Sequence, residues 1–350
     1  MAEIRFLTDM DALNWDEYVR SHSEGTLFHL LAWKKVVERT FGHGSRYLVA
    51  VTDNRDRQQD KWITGILPLF RIKSMLFGHS LVSVPFAELG GVLADYEEVA
   101  NELLQSAAQI TRDIGAEYAE LKHEVAHGDL PVKHLYYNFQ REILEDPNEN
   151  LQAIPRKSRR MVRVGMKSGL YAEFGSHLLH EFYELLAKNY HSLGTPIFPR
   201  SLFANFLDFF QDQAEIMLVR EPRENKAISG VFSFFYQDRV MPYYAGSLTE
   251  YRHLAPNDFM YWKLMDYGRE RGYKWFDFGR SKEGTGSYRF KKHWGFEPKQ
   301  LAYQYILNTA EDLPDKSPNN PKYQRKIALW RKMPLWMTKV AGPRIAKYLC

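Results

Sequence analysis

One order of elements occurs twice along this 350-residue chain, and a tandem repeat of mixed elements constrains folding more than any single segment does. In the first pass Ile4–Leu7 reads as a strand. Asp9–Arg20 and Leu30–Phe41 read as helices, the second with Trp33, Val36, Val37 and Phe41 at helical spacing. Tyr47–Thr52 and Trp62–Ile72 read as a hairpin across the charged turn Asn54–Asp60. Ser80–Leu93 is strand broken by loop at Pro85 and Gly90–Gly91. Tyr96–Ile114 is an amphipathic helix stopped at Gly115, and Tyr118–His123 is a strand.

The second pass predicts a helix over Asn150–Ser168, a strand over Leu170–Phe174 and helices over His177–Tyr190 and Pro199–Gln213. Glu215–Val219, Ala227–Tyr236 and Arg239–Ser247 follow as antiparallel strands. Asn257–Gly272 reads as a helix, and Trp275–Phe278 and Gln300–Ile306 as strands. The expected class is α+β (α/β): two tandem domains, each a mixed, largely antiparallel sheet flanked by helices. The break near Asp146–Asn150 gives domains 1–147 and 148–310, followed by a tail, 311–350.

Aliphatic, aromatic and other apolar residues make up 45% of the chain, enough for two packed cores. The polar stretch Lys316–Lys322 alone reads as disordered. The formal net charge of +4 suits an anionic substrate. The single cysteine, Cys350, excludes a disulfide framework and a cysteine-based metal site. The histidines have no metal-ligand spacing, so no metal is expected. No nucleophile-elbow serine motif is present. The opening Met-Ala-Glu-Ile-Arg lacks the regions of a signal peptide, and the best apolar run, Ile228–Tyr236, suits a buried strand rather than a membrane span. A cytoplasmic location is expected.

The chemistry concentrates in Phe276–Pro298, FDFGRSKEGTGSYRFKKHWGFEP. A strand running into a glycine- and cation-rich loop can set backbone N–H groups and cations beside an anion. A solvated surface loop reads equally well. No nucleotide-phosphate fingerprint occurs. Ser281 stands where an acetyl-CoA-binding loop of the Arg/Gln-x-x-Gly-x-Gly/Ala type needs Arg or Gln, which argues against ordinary CoA-dependent acetyl transfer. Elsewhere, Arg156, Arg160, Arg163 and Lys167 share one helix face with no acid between them. That face reads either as a polyanion contact or as solvated surface.

Asp277-Phe278-Gly279-Arg280, then Phe290-Lys291 and Trp294-Gly295, resembles the closing motif of the FemAB family of aminoacyl-tRNA-dependent transferases. Tyr243–Ser247, Leu254–Asn257 and Tyr190–Pro196 agree with it, as do Phe28-His29, Trp33, Pro85-Phe86 and Gly90-Gly91 in the first domain. The resemblance spans about Ile4 to Ile306 and looks closest to a subgroup encoded with exopolysaccharide and exosortase systems. It implies two acetyltransferase-like (GNAT-like) domains with a substrate cleft between or beside them. It also implies transfer of an aminoacyl or other acyl group to an amine of a cell-envelope or exopolysaccharide precursor. The long helical arm of some members has no counterpart here, which leaves tRNA recognition open. A CoA-dependent N-acyltransferase and a non-catalytic binding module in polysaccharide assembly are the alternatives.

By the same resemblance Lys291, beside Phe290, is the candidate for stabilising the oxyanion or leaving group, with Asp277 a candidate base or a brace for Arg280. Arg280, Tyr244, Ser247, Asn257, Tyr288, Lys34, Arg160 and Arg163 are candidate substrate contacts. No bound cofactor is expected; the acyl donor, aminoacyl-tRNA or acyl-CoA, is a co-substrate. The tail after Ser317 has no acid and interleaves Lys and Arg with Trp330 and Trp336. It reads either as a contact with the anionic inner face of the membrane or as a segment packing its tryptophans on the first domain.

Overall fold

The computed structural model describes residues 2–52, 63–74, 77–314 and 321–349. The turn expected at Asn54–Asp60 lies outside them, as do residues 316–320 of the polar stretch. The chain forms two compact units that are not contiguous halves. One comprises Met1–Tyr136, Gln300–Lys316 and Lys347–Cys350, the other Tyr137–Lys299 and Ser317–Ala346.

The first unit runs β1 (Glu3–Phe6), α1 (Ala12–Ser21), α2 (Leu31–Phe41), β2 (Gly44–Ser45), β3 (Leu48–Val51), β4 (Ile63–Leu67), β5 (Phe70–Ser74), β6 (Gly78–Val82), β7 (Leu93–Ala94), α3 (Glu97–Asp113), β8 (Tyr118–His123) and β9 (Val132–Lys133). The single strand expected up to Ile72 is two strands in two sheets. Pro68, which has no N–H to continue a ladder, marks the crossing from β4 to β5. One sheet has the order β1-β3-β4-β7. Val99, Ala100, Leu103, Leu104 and Ala107 form the buried stripe of α3 and join Leu48, Ala50, Leu67, Leu81 and Leu121 in one core.

The second unit runs β10 (Tyr136–Glu142), α4 (Pro147–Ala153), α5 (Arg156–Lys167), β11 (Tyr171–Phe174), α6 (Leu179–Leu193), α7 (Arg200–Phe210), β12 (Ala214–Glu221), β13 (Lys226–Tyr236), β14 (Arg239–Ser247), α8 (Pro256–Glu270), β15 (Trp275–Asp277), β16 (Ser281–Lys282), α9 (Gly286–His293) and β17 (Pro298–Gln300). The helix expected over Asn150–Ser168 is divided at Pro155, which holds Ile154 extended (φ −74°, ψ 130°). The strands form one sheet, β11-β12-β13-β14-β15-β10-β16, with β17 on β10. β14 pairs in parallel with β15 only at Arg239↔Trp275 and Val240↔Phe276, while its other edge stays on β13 as far as Ser247↔Ser229. The two strands therefore part beyond Val240.

Strand β18 (Ala302–Leu307) returns to the first unit, between β8 and β9 in the sheet β2-β5-β6-β8-β18-β9. Its Gln304 is fully buried and binds across to His123 Nδ1 at 2.9 Å and to both the N–H and the C=O of His127 at 2.8 Å. Helices α10 (Pro321–Lys332) and α11 (Leu335–Ala346) follow. They pack on α6 of the second unit, through Ile327 against Gly194, a His191–Met333 carbonyl hydrogen bond of 2.8 Å and a Lys339–Glu184 ion pair of 2.5 Å. The alternative reading of the tail, tryptophans packed on the first domain, is corrected on both counts: Trp330 is half-buried in the second unit, and Trp336 is 68% exposed. No helix among the described residues is long and apolar enough to cross a membrane.

Candidate active site

The segment after Phe278, expected to be a loop, folds into a tight turn, the short strand β16 and the helix α9. Gly279 takes φ +67°, a conformation that favours glycine and lets the chain reverse directly after β15. Thr285 caps α9, its hydroxyl accepting the N–H of Tyr288 at 3.3 Å. That start sets the helix register and with it the inward side chain: Lys291 is buried (8% exposed) and Lys292 is exposed.

The Lys291 ammonium donates to the carbonyls of Gly279 at 2.8 Å and Arg280 at 3.0 Å. It also lies over the rings of Phe139 (5.4 Å) and Phe278 (5.8 Å). α9 thus grips the turn that precedes it. Asp277, 5% exposed, accepts from the Gly279 N–H at 2.9 Å and from Gln140 Nε2 at 2.8 Å. Burial pushes its carboxyl above the usual carboxylate range, opposed by the Gly279 N–H, the Arg239 charge, the Gln140 amide and the Lys291 charge. Arg239 in turn donates to Gln140 Oε1 at 3.0 Å. A charged, hydrogen-bonded cluster therefore closes the end of β15, one residue beyond the point where β14 leaves it.

Apolar contacts hold α9 from the other side. Phe290 meets Tyr261 (5.6 Å between ring centres) and Trp294 (5.9 Å), and Tyr288 stands edge-on to Phe139 (5.3 Å) and Tyr137 (5.5 Å). Trp294 Nε1 donates to Asp258 at 2.9 Å, tying α9 to the first turn of α8; burial raises the Asp258 carboxyl and this bond opposes the rise. Ser281 Oγ and Asn138 Oδ1 are buried without a hydrogen-bond partner among the described residues, so polar capacity is left unspent at this end of the sheet.

The structure gathers Lys291, Phe290, Asp277, Arg280 and Tyr288 around one turn, and Asn257 precedes Asp258 on α8. Tyr244 sits in a different cluster, its ring among Phe198, Phe203, Phe206 and Tyr243. The Ser247 carbonyl accepts from Asn189 at 3.0 Å. Lys34 lies in the first unit, paired with Glu38 at 2.9 Å and 5.9 Å from the Tyr47 ring centre. Arg160 and Arg163 are exposed on α5, whose inner side docks through Ser158 to the His293 carbonyl (2.8 Å) and through Gly165 to Phe259. Sequence reasoning missed Gln140 and Asp258. Gln140 arrives by a strand pairing that no local pattern announces. Asp258 carried one signal, an acid in the first turn of a helix.

Residues 148–292 match the family model of the acetyltransferase (GNAT) domain. Lipid II:glycine glycyltransferase of Staphylococcus aureus is 23% identical over an alignment covering 84% of this chain and 91% of that protein. The crystal structure of FemX superposes with a TM-score of 0.62 at 19% identity, covering 92% of this chain and 99% of that one. The chain resembles the FemAB family over most of its length. A tandem GNAT protein from the clavulanic acid biosynthesis pathway shares the fold at a TM-score of 0.56 and 9% identity, covering 89% of this chain and all of that one. This protein is an acyltransferase of two GNAT-like units, and the family model covers the turn and α9 up to Lys292, with Lys291 inside it.

Proposed function

We propose that this FemAB-like protein transfers an aminoacyl group, or another acyl group, to an amine of a cell-envelope precursor in the cytoplasm. The observation that carries the reading is the buried Lys291 ammonium fixed at the end of β15, where the parting of β14 and β15 opens the sheet. The glycyltransferase relative, named for lipid II, supports an anionic, lipid-linked acceptor. An amine on an exopolysaccharide precursor is the second acceptor class.

In the proposed reaction the acceptor amine attacks the donor carbonyl. With an ester donor a C–N bond forms, the C–O bond to the donor breaks, and the proton given up by the amine ends on the departing oxygen. The tetrahedral oxyanion and the departing oxygen both need positive charge held in advance. Lys291 supplies it, kept in place by the two turn carbonyls and by Phe290, which packs its helix. Asp277 is a positioning residue: its carboxylate shapes the turn and faces the Lys291 charge. Arg280, Tyr288 and Asn257 line the approach and contact donor or acceptor, with Ser247 at the end of the parted strand. Arg160, Arg163 and Lys34 take phosphate. The setting of Tyr244 among rings favours packing.

Aminoacyl-tRNA is the leading donor. The GNAT fold keeps acyl-CoA as the second, against which Ser281 stands in place of the expected Arg or Gln. The deciding experiment compares binding of charged tRNA, uncharged tRNA and acetyl-CoA at moderate salt, where unspecific RNA attraction is damped. Selective binding of charged tRNA is the expected result; selective binding of acetyl-CoA would replace the donor and leave the acyl-transfer chemistry standing.

A further inference from the structure

A helix packed on a globular unit normally turns its large apolar side chains inward. Helix α11 does the reverse. Thr338, Gly342 and Ala346, four residues apart, are its buried positions, and Gly342 lets the helix approach the Ile197 backbone so closely that an added Cβ would sit 3.0 Å from it. At the outward positions Trp336 is 68% and Val340 56% exposed, with Met337 beside them and exposed Arg344 next at the same spacing. On α10, Ile327 turns inward to Gly194 while Leu329 is 65% exposed.

The charge that these two helices carry has one sign. From Pro321 to Leu349 the sequence has no acidic residue. Arg325, Lys332 and Arg344 are exposed and have no ion pair among the described residues. A second copy docking by the same face would bring these cations together with no acid on either helix to offset them. An anionic lipid surface complements them and takes up the tryptophan and aliphatic side chains at the headgroup level. Each helix has 12 residues, too few to span a bilayer.

We propose that α10 and α11 form an interfacial anchor that lies on an anionic phospholipid surface. Trp336, Met337, Val340 and Leu329 enter the headgroup–acyl boundary, and Arg325, Lys332 and Arg344 meet lipid phosphates. The anchor does not depend on the acyl-transfer reading, and either can fail without the other.

The test is sedimentation of the full chain with phosphatidylcholine vesicles, with and without about one-third phosphatidylglycerol, at about 0.1 M salt. The protein is expected to sediment with the phosphatidylglycerol vesicles and to stay in solution with phosphatidylcholine alone. Trp336→Ser/Val340→Ser is expected to lower the partition coefficient about tenfold, and Arg325→Gln/Lys332→Gln/Arg344→Gln by a similar factor. Both variants change exposed positions, so circular dichroism should match the parent. Wild-type protein remaining in the supernatant, or variants that sediment like the parent, would overturn the anchor. So would a concentration-dependent dimer, seen by light scattering, that Trp336→Ser/Val340→Ser dissociates; the face would then belong to a second copy.

Discussion

Lys291 Nζ lies 2.8 Å from the carbonyl oxygen of Gly279, twelve residues before it, so the helix that follows the turn holds the turn in shape. Substituting Lys291 therefore does two separable things. Lys291→Met removes the charge and leaves two carbonyls without their donor, a loss of about 1–3 kcal/mol in stability. Turnover is expected to fall more than tenfold. Lys291→Arg keeps the charge and changes its geometry, and should recover stability better than rate. Denaturant melts and single-turnover kinetics on the same preparations check both; a folded Lys291→Met protein with normal turnover removes Lys291 from the reaction.

Trp294 Nε1 is the donor that reaches the half-buried Asp258 carboxylate. Trp294→Phe keeps most of the ring packing and strands that carboxylate, with an expected cost of about 1–3 kcal/mol. Asp258→Asn keeps an acceptor for the indole and sheds a charge that burial disfavours, so its cost should stay below about 1 kcal/mol. Urea unfolding of both variants decides: equal losses would mean that the bond contributes nothing beyond packing.

The first unit should weaken in acid. His29 and His123 are buried and neutral. Burial lowers the first to about 4 and the second to about 3, the Gly91 carbonyl and Gln304 opposing. Their unfolded forms take protons near 6.5, so the unfolded state binds more protons as pH falls below that value. Stability, full above about 6.5, then declines towards the folded values, by about 2 kcal/mol per histidine at pH 5. Thermal melts from pH 7.5 to 5 should show the decline. His123→Asn should be less stable at neutral pH and have a shallower pH dependence, and an unchanged slope would clear His123 of the effect.

Arg160 and Arg163 stand in solvent on α5, and no ion pair holds them among the described residues. Arg160→Gln/Arg163→Gln should leave the melting temperature within about 2 °C of the parent. Binding of a polyanionic donor or acceptor should weaken, and the slope of log affinity against log salt should become shallower by about one to two. Titrations at three salt concentrations measure this; parallel lines for parent and variant would make the face plain solvated surface.

Much of the architecture was legible in the sequence, because the helix faces and the apolar, aromatic-rich runs of β12, β13 and β14 are local patterns. Pro68 and Pro155 were visible, yet their effect was underrated: each divides an element read as continuous. Strand β10 was missed because its neighbours β15 and β16 lie about 140 residues later, and a half-buried strand at a domain boundary resembles a linker. Helix α9 was missed because Gly284 and Gly286 suggested a loop, although Thr285 was a readable cap. The sequence pointed to Lys291 only by resemblance. Its inward register follows from that cap, and its carbonyl partners from the turn at Gly279. Gln140 and Gln304 exert their effects across strand pairs, where one-dimensional patterns carry no information.

The return of β18 to the first unit sets a clock on synthesis. Its neighbour β8 ends at His123, and Leu307 is translated some 180 residues later; at about 5–20 residues per second the gap is roughly 10–40 s. For that time β8 presents an open edge, and the histidine and backbone groups that Gln304 will satisfy stay without it. The second unit's strands emerge within that window, so the half of the protein made first is the half completed last. A nascent chain stalled before residue 300 should expose that edge to chaperones and to other strands.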